Sequence, residues 1–380
     1  MKYKKFSKAV ISLVSLLSVL CLSVSASAAD MCAVADAATA PAMAATDENV
    51  KVSSRFFELI FGKNGREEDA DAKVPAGKTL LLCPGGQIFG VKIRQDGVVV
   101  REIREGSAAA GTLAVGDLIR RVNGREVHDT AELGEVMRTA GASVRLSVLR
   151  DGSEKTFTLP TSDDGDGKVL GIAVRDSTAG IGTVTFIDPE TGVFGGLGHG
   201  ICDADSGQIL PMREGIVTDV ILGGVQRGES GKPGELRGVL KNRVTGKLLS
   251  NNECGVFGRL TEIPEGLSAV EVAAKADVHE GPATILSTVH GGGIGKYEVK
   301  ISDIDARSTG TKSFTVEVTD PTLIAVTGGI VRGMSGSPIL QDGKLVGAVT
   351  HVMVSDPKTG YGIFIENMLA SVPEEVAPAA

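Results

Sequence analysis

Short apolar runs separated by turns fill most of this chain, and the alternation inside them predicts strands rather than helices. Leu80 to Pro160 reads as one compact unit. A glycine-rich loop, Pro84-Gly85-Gly86, enters a strand at Ile88 to Ile93, Asp96-Gly97 supplies a hairpin turn, and Val98 to Ile103 forms the returning strand. Val115 to Arg125 predicts a strand that ends on the Asn123-Gly124 turn. Asp129-Thr130-Ala131-Glu132 is a capping box, and Leu133, Val136, Met137 and Ala140 follow at i, i+3, i+4 and i+7, which predicts one amphipathic helix. Val144 to Val148 alternates, Asp151-Gly152 turns, and Thr156 to Leu159 closes the sheet. The acidic, glycine-rich stretch Thr161 to Gly167 marks a boundary. Beyond it, Thr183 to Ile187, Ile216 to Leu222, Val239-Leu240, Ala283 to Val289, Tyr297 to Ile301 and Phe314 to Val318 predict strands, with no long helical period. The chain is thus expected to be mainly β, in two units, the second a β-barrel.

Composition refines this at the amino terminus. Basic Met1 to Lys8, apolar Ala9 to Val24 and small-residue Ser25 to Ala29 predict a secretory leader over residues 1–28, or a membrane anchor if it is left uncut. Residues 29–78 read as a flexible linker, Ala-rich as far as Asp47, that carries the short apolar segment Phe56 to Phe61. The remainder of the 380 residues leaves room for two domains of ordinary size. A formal net charge of −8 with no long Lys/Arg face argues against nucleic acid as a partner. Five cysteines, one inside the leader, form neither a disulfide framework nor a Cys-x-x-Cys pair. His199-Gly200-Ile201-Cys202 has a ligand-like spacing that nothing nearby completes, and Gly291 to Tyr297 lacks the spacing of a P-loop, so neither a metal nor a cofactor is expected.

The candidate chemistry sits in two glycine-rich stretches. In Gly333-Met334-Ser335-Gly336-Ser337-Pro338 the Ser335 hydroxyl is expected to be exposed on a turn, with the N–H groups of Gly333 and Ser335 converging as an oxyanion hole. In Gly195-Gly196-Leu197-Gly198-His199-Gly200 a histidine stands among glycines, so His199 is expected to face a cleft and to act as a base. Plain glycine turns are the competing account of both stretches. Asp320, at the end of an alternating strand and before Pro321, is the expected third member; Asp203, Asp205 and Asp219 are its rivals. His279, His290 and His351 are rival bases, His290 the strongest of them. The serine stretch resembles the nucleophile loop of chymotrypsin-like serine peptidases, and the order His199, Asp320, Ser335 fits that resemblance. Met334 stands where many trypsin-like enzymes carry an aspartate that pairs with a freed amino terminus.

Residues 79–160, with Gly116-Asp117-Leu118-Ile119 and Asn123-Gly124, resemble a PDZ domain. That resemblance implies a peptide or C-terminal tail added as a strand beside Ile88, Phe89, Gly90 and Val91. The leader, this unit, and a peptidase-like domain over 168–375 carrying Leu197-Gly198-His199-Gly200-Ile201 and the serine stretch together resemble the stage IV sporulation protein B family of serine peptidases. The family likeness implies Ser335 as nucleophile, His199 as base and Asp320 as acid. It also implies an exported enzyme in the space between forespore and mother-cell membranes, acting at a membrane surface. Its substrates there would be itself and a regulatory subunit of an intramembrane protease, and their cleavage would lead to late sigma-factor activation. The alternative from a different class is a secreted PDZ scaffold whose peptidase-like domain is inactive.

Overall fold

The structure, a computed structural model, describes residues 80–165, 167–204, 207–291 and 293–374. The expected leader, the 29–78 linker and Asp205 lie outside the described residues. The chain opens on β1 (Leu81–Pro84) and the long β2 (Ile88–Ile103), followed by β3 (Leu118–Val122), β4 (Arg125–Glu126), α1 (Thr130–Arg138), β5 (Ser143–Arg150) and β6 (Ser153–Pro160). After the small pair β7 (Ser162–Asp163) and β8 (Lys168–Val169) come β9 (Ile172–Ile187), β10 (Val193–Gly196), β11 (Glu214–Gln226), β12 (Glu235–Asn252), β13 (Gly255–Leu260) and β14 (Val270–Glu271). The last part holds β15 (Gly281–Ser287), β16 (Gly295–Ser302), β17 (Phe314–Val318), α2 (Pro321–Thr327), β18 (Pro338–Gln341), β19 (Lys344–Met353), β20 (Asp356–Phe364) and α3 (Ile365–Ala370).

These strands make two barrels and a sheet. In the first barrel β9, β10, β13, β12, β11 and β2 pair in turn, and β2 pairs back to β9. Its interior is filled by Phe89, Val91, Ile93, Phe194, Leu197 and Val256, with the Phe89 and Phe194 rings edge to face at 5.9 Å. The second barrel closes in the order β15, β16, β17, β20, β19, β18 around Ile285, Val299, Phe314, Val316 and Phe364. Inward and outward positions alternate in β16 and β17, as the sequence pattern requires of a sheet with one buried face.

The PDZ-like sheet grows from the first barrel. Val99 to Ile103 of β2 pair with Ile172 to Arg175 of β9 on one side, and Val98-Val99 pair with β3 on the other, with β5 and β6 beyond. Helix α1 forms as its capping box predicts: the Asp129 carboxylate accepts the Glu132 N–H at 2.8 Å, and the Glu132 carboxylate accepts the His128 N–H at 2.8 Å. Its apolar side, Leu133, Val136 and Met137, is buried. Asp117, buried at the start of β3, receives two bonds of 2.6 Å from the Arg150 guanidinium and one of 2.9 Å from the Ala114 N–H, so its charge is matched.

Three expectations are corrected here. Asp96-Gly97 is an irregularity inside the continuous β2 and not a hairpin turn: the register against β9 shifts between Arg94 and Val99, and Gly97 takes a φ of +137°. The stretch Thr161 to Gly167 does not separate two independent units, because β2 and β9 each run from the PDZ-like sheet into the first barrel. Ile88, Phe89, Gly90 and Val91 offer no edge to a peptide. They pair with Thr183 to Gly180 of β9 on one side, and Gly90 and Val91 also pair with Thr218 and Val217 of β11 on the other. Phe89 and Val91 are spent in the barrel core.

Asp320 starts α2. Its carboxylate accepts the Leu323 N–H at 2.8 Å, Pro321 occupies the first turn, and Gly328 ends the helix in the left-handed region at φ +82°. Asp320→Ala is therefore expected to cost about 1 kcal/mol, lowering Tm by about 2–4 °C, whereas Asp320→Asn, an equally good cap, leaves Tm nearly unchanged. Calorimetry of the two variants decides it. An equal loss in both would show that the carboxylate charge, and not its capping geometry, matters.

Candidate active site

The first barrel positions the Ser335 loop of the second. Thr183 and Thr185 on β9 are completely buried, and their hydroxyls donate to the Gly333 carbonyl at 2.7 Å and the Gly336 carbonyl at 2.8 Å. The Thr183 N–H donates to the Ser335 carbonyl at 2.9 Å. From the second barrel, the Gly336 N–H donates to Val349 at 2.7 Å and the Val349 N–H to Ser337 at 2.9 Å. Gly336 cannot carry a side chain: a Cβ there would lie 2.0 Å from the Thr183 oxygen, and its φ is +93°. Met334 is buried in the core of the second barrel.

With the carbonyls of this loop fixed, its N–H groups divide. Met334 donates to Val331 and Ser337 to Met334, closing the turn. The N–H groups of Gly333 and Ser335 have no acceptor among the described residues. Backbone donors are rarely left so, and two of them flanking a serine are what an oxyanion requires.

His199 follows β10 through Leu197 and Gly198, both in the left-handed region at φ +67° and +69°. The Leu197 N–H donates to the Thr183 carbonyl at 3.2 Å, so the histidine loop and the serine loop hang on the same residue of β9. The His199 ring is 7% exposed, and its Nδ1 meets the Gly200 carbonyl at 2.9 Å. Only a protonated Nδ1 can make that bond, which leaves the Nε2 lone pair free to take a proton. Burial holds the His199 imidazole below its ordinary pKa, opposed by the bond to Gly200.

His199 packs against a residue that sequence reasoning offers only as a rival base. His351, on β19, packs its ring against that of His199 with centroids 4.8 Å apart and planes at 35°. Its neighbour Thr350 accepts the Ser335 hydroxyl at 2.7 Å through its carbonyl. The Ser335 hydroxyl and the His199 ring thus both lie against β19, at Thr350 and His351 in turn. The other rival histidines lie elsewhere: His279 is exposed and bonded to Asp342 at 2.8 Å, and His290 is exposed.

Among the described residues, no carboxylate is hydrogen-bonded to His199 or to the Ser335 hydroxyl. Asp320 is spent on α2, with a longer contact of 3.4 Å from the Glu298 N–H, and shares no hydrogen bond with His199. In this arrangement it does not orient the imidazole as expected. Asp203 is buried against the Arg175 guanidinium at 2.6 Å. Asp219 lies along β11. Among the described residues, Cys83 and Cys254 form no disulfide, the Cys202 thiol donates to the Gly200 carbonyl at 3.7 Å, and no three His, Cys, Asp or Glu side chains cluster as a metal site would need.

Comparison with known proteins agrees with this layout. A PDZ domain model matches residues 88–161. A probable periplasmic serine endoprotease DegP-like of Pseudomonas putida (strain W619) is 26% identical over 161 residues, 41% of this chain and 32% of its own length. A protein of the same description from Pseudomonas fulva (strain 12-X) is 33% identical over 85 residues, 20% of this chain and 18% of its own length. The matches thus span about a third or less of these relatives. Among solved structures, the PDZ domain of the SdrC-like protein Lin2157 from Listeria innocua has 24% identity over 21% of this chain and 93% of its own, with a TM-score of 0.20. The model for SpoIVB peptidase S55 matches residues 167–369, more than half of the chain and every residue that meets at Ser335, and the chain belongs to that family.

Proposed function

We propose that this chain is a serine endopeptidase in which Ser335 is the nucleophile, His199 the general base, and the N–H groups of Gly333 and Ser335 the oxyanion hole. The observation that carries this reading is the pair of backbone donors left without acceptors beside the serine hydroxyl. The Ser335 hydroxyl turns from the Thr350 carbonyl to the substrate, its proton passes to His199 Nε2, and Oγ bonds to the scissile carbonyl carbon. The carbonyl oxygen takes the negative charge and rests on the two N–H groups. His199 then protonates the leaving amine, the C–N bond breaks, and water, deprotonated by the same imidazole, releases the acid product.

The family and the DegP-like relatives support an exported location. Among the described residues no helix is long and apolar enough to cross a membrane. The family likeness supports a substrate that restrains an intramembrane protease, self-cleavage in the linker, and a place in late sigma-factor activation at a membrane surface. The PDZ domain supports recognition of a peptide or C-terminal tail.

A non-catalytic scaffold is the second reading, and one observation favours it: the Ser335 proton is given to a backbone carbonyl and not to His199. A fluorophosphonate probe separates the two. Full-length protein is expected to be labelled at Ser335, with labelling lost in Ser335→Ala and reduced at least about 100-fold in His199→Ala; an unlabelled Ser335 in the intact chain would mean a scaffold. If Asp320 only caps α2, Asp320→Asn keeps kcat within about three-fold, and a fall of orders of magnitude at unchanged Tm would make it the orienter after all.

The pH dependence has a fixed sign. The base must be neutral, and its pKa in the folded protein lies below the ordinary value of about 6.5. The acidic limb of kcat/KM is therefore expected below pH 6.5, activity persisting as pH falls until the depressed pKa is reached. A limb above 6.5 in a pH titration of kcat/KM would place an anion next to His199.

A further inference from the structure

We propose that Leu236, carried to the second barrel on an arm of β11 and β12, is the positioning residue of the oxyanion hole and sets the peptide unit whose N–H is the Gly333 donor. The inference rests on the peptidase reading above and deepens it.

The arm is long and paired with itself. β2 pairs with β11 only as far as Thr218, and β13 pairs with β12 only from Gly246, so Val220 to Gln226 and Glu235 to Leu240 leave the first barrel joined to each other and to no other strand. Its tip meets the second barrel at three places. The Gly228 N–H donates to the Thr327 carbonyl at the end of α2 at 2.8 Å. The Gly231 N–H and the Ser230 hydroxyl donate to the Val354 and Ser355 carbonyls between β19 and β20, each at 2.8 Å. Arg332 lies beside Glu235 in a parallel bridge. Leu236 is 2% exposed, and it is buried with Ile330, Val331 and Met334 in the core of the second barrel although its strand belongs to the first.

The two N–H groups of the hole are held in different ways. That of Ser335 belongs to the peptide unit of Met334, whose carbonyl accepts the Ser337 N–H at 2.9 Å, so the turn fixes it alone. That of Gly333 belongs to the peptide unit of Arg332, whose carbonyl accepts the Leu236 N–H at 2.8 Å. A trans peptide unit is planar with its C=O and N–H opposed, so a grip on the carbonyl aims the N–H. Residue 333 does not supply this aim itself: glycine takes positive and negative φ about equally, and Gly333 stands at φ +95°. The units on either side are fixed, by the Arg332 N–H to the Gly234 carbonyl at 2.9 Å and by the Thr183 hydroxyl to the Gly333 carbonyl at 2.7 Å. The arm therefore decides the one unit between them. Turned over, that unit would present a carbonyl oxygen to the forming oxyanion and repel it. The Leu236 side chain keeps the grip in register, because the two backbones touch: a Cβ on Gly333 would lie 3.0 Å from the Leu236 Cβ.

Variants of the full-length chain test this with p-nitrophenyl acetate and its thiono analogue, whose sulfur is a poor hydrogen-bond acceptor and draws little from the hole; Tm and the pH profile are measured for each. Leu236→Ala is expected to lower kcat/KM for the oxygen ester about 100-fold and for the thiono ester less than about three-fold, with the acidic limb unmoved because His199 is untouched. Leu236→Met conserves volume and is expected to stay within about three-fold of wild type on both esters. A Cβ at Gly234 would lie 2.3 Å from the Gln226 carbonyl oxygen, so Gly234→Ala disturbs the same contact from the tip and is expected to lose at least about ten-fold on the oxygen ester alone. The proposal is overturned if Leu236→Ala hydrolyses the oxygen ester like wild type, if both esters lose equally in step with Tm, or if Met is no better than Ala. Should Leu236→Ala not fold, Gly234→Ala decides on the same terms. Wild-type protein is treated with the fluorophosphonate in parallel: an unlabelled Ser335 means that the peptidase reading has failed and this role with it, whereas a labelled Ser335 with variants that behave as wild type removes only the role of Leu236.

Discussion

The site depends on the grip that two buried threonines of the first barrel keep on a loop of the second. Thr183 and Thr185 supply two hydroxyl bonds and one N–H bond to the three carbonyls of Gly333, Ser335 and Gly336. The peptide units that carry the Gly333 and Ser335 N–H groups are held through their own carbonyls: that of Arg332 accepts the Leu236 N–H of β12 at 2.8 Å, and that of Met334 accepts the Ser337 N–H at 2.9 Å. The hydroxyls sit where water cannot compete, so each bond is costly to leave unmade. The proposed oxyanion hole thus depends on barrel docking, through Leu236 of β12 and the two threonines, and not on the glycine-serine turn alone.

The same docking creates an electrostatic problem. The general base proposed here needs to carry a proton for part of each cycle, yet His199 is buried, and its neighbours among the described residues include a carbonyl and another imidazole. Burial lowers its pKa, which keeps the base neutral and ready but makes the imidazolium harder to form. A carboxylate would resolve this by charge; Asp203, buried just beyond the histidine loop, is committed to Arg175.

Much of this was legible in the chain, and what was not has a physical cause. The α1 capping box, the alternating strands of the second barrel and the glycine-flanked Ser335 depend on neighbours within a few residues, and each appears in the structure where local pattern put it. The PDZ and peptidase families were legible as well. Contacts made by strand order were not. Asp96-Gly97 has the residues of a hairpin turn, yet β2 passes through it because both flanks find partners on β9. Ile88 to Val91 has the look of a peptide-binding edge, and only the pairing with β9 and β11 shows that it is closed. Asp320 before Pro321 carries the signature of a helix cap as clearly as that of a catalytic acid, and α2 takes it. His351, in Ala348-Val349-Thr350-His351-Val352, has no glycine around it and looks like a strand residue, which it is; the shift of register that aims it at His199 leaves no mark in the sequence.

One strand makes these parts a single machine. The beginning of β9 pairs with the PDZ-like sheet at Val99 to Ile103, Arg175 of that same stretch holds Asp203 just beyond the histidine loop, and eight residues later Thr183 holds both the Ser335 carbonyl and the Leu197 N–H. A paired strand cannot slide by one residue without turning every side chain to the opposite face. Arg175 and Thr183, an even number of residues apart, thus keep a fixed relation, and with them the histidine loop and the serine loop that Thr183 bonds. The PDZ-like sheet and the catalytic cleft share that strand as a common wall, so the sheet is part of the scaffold of the site and not a module on a tether.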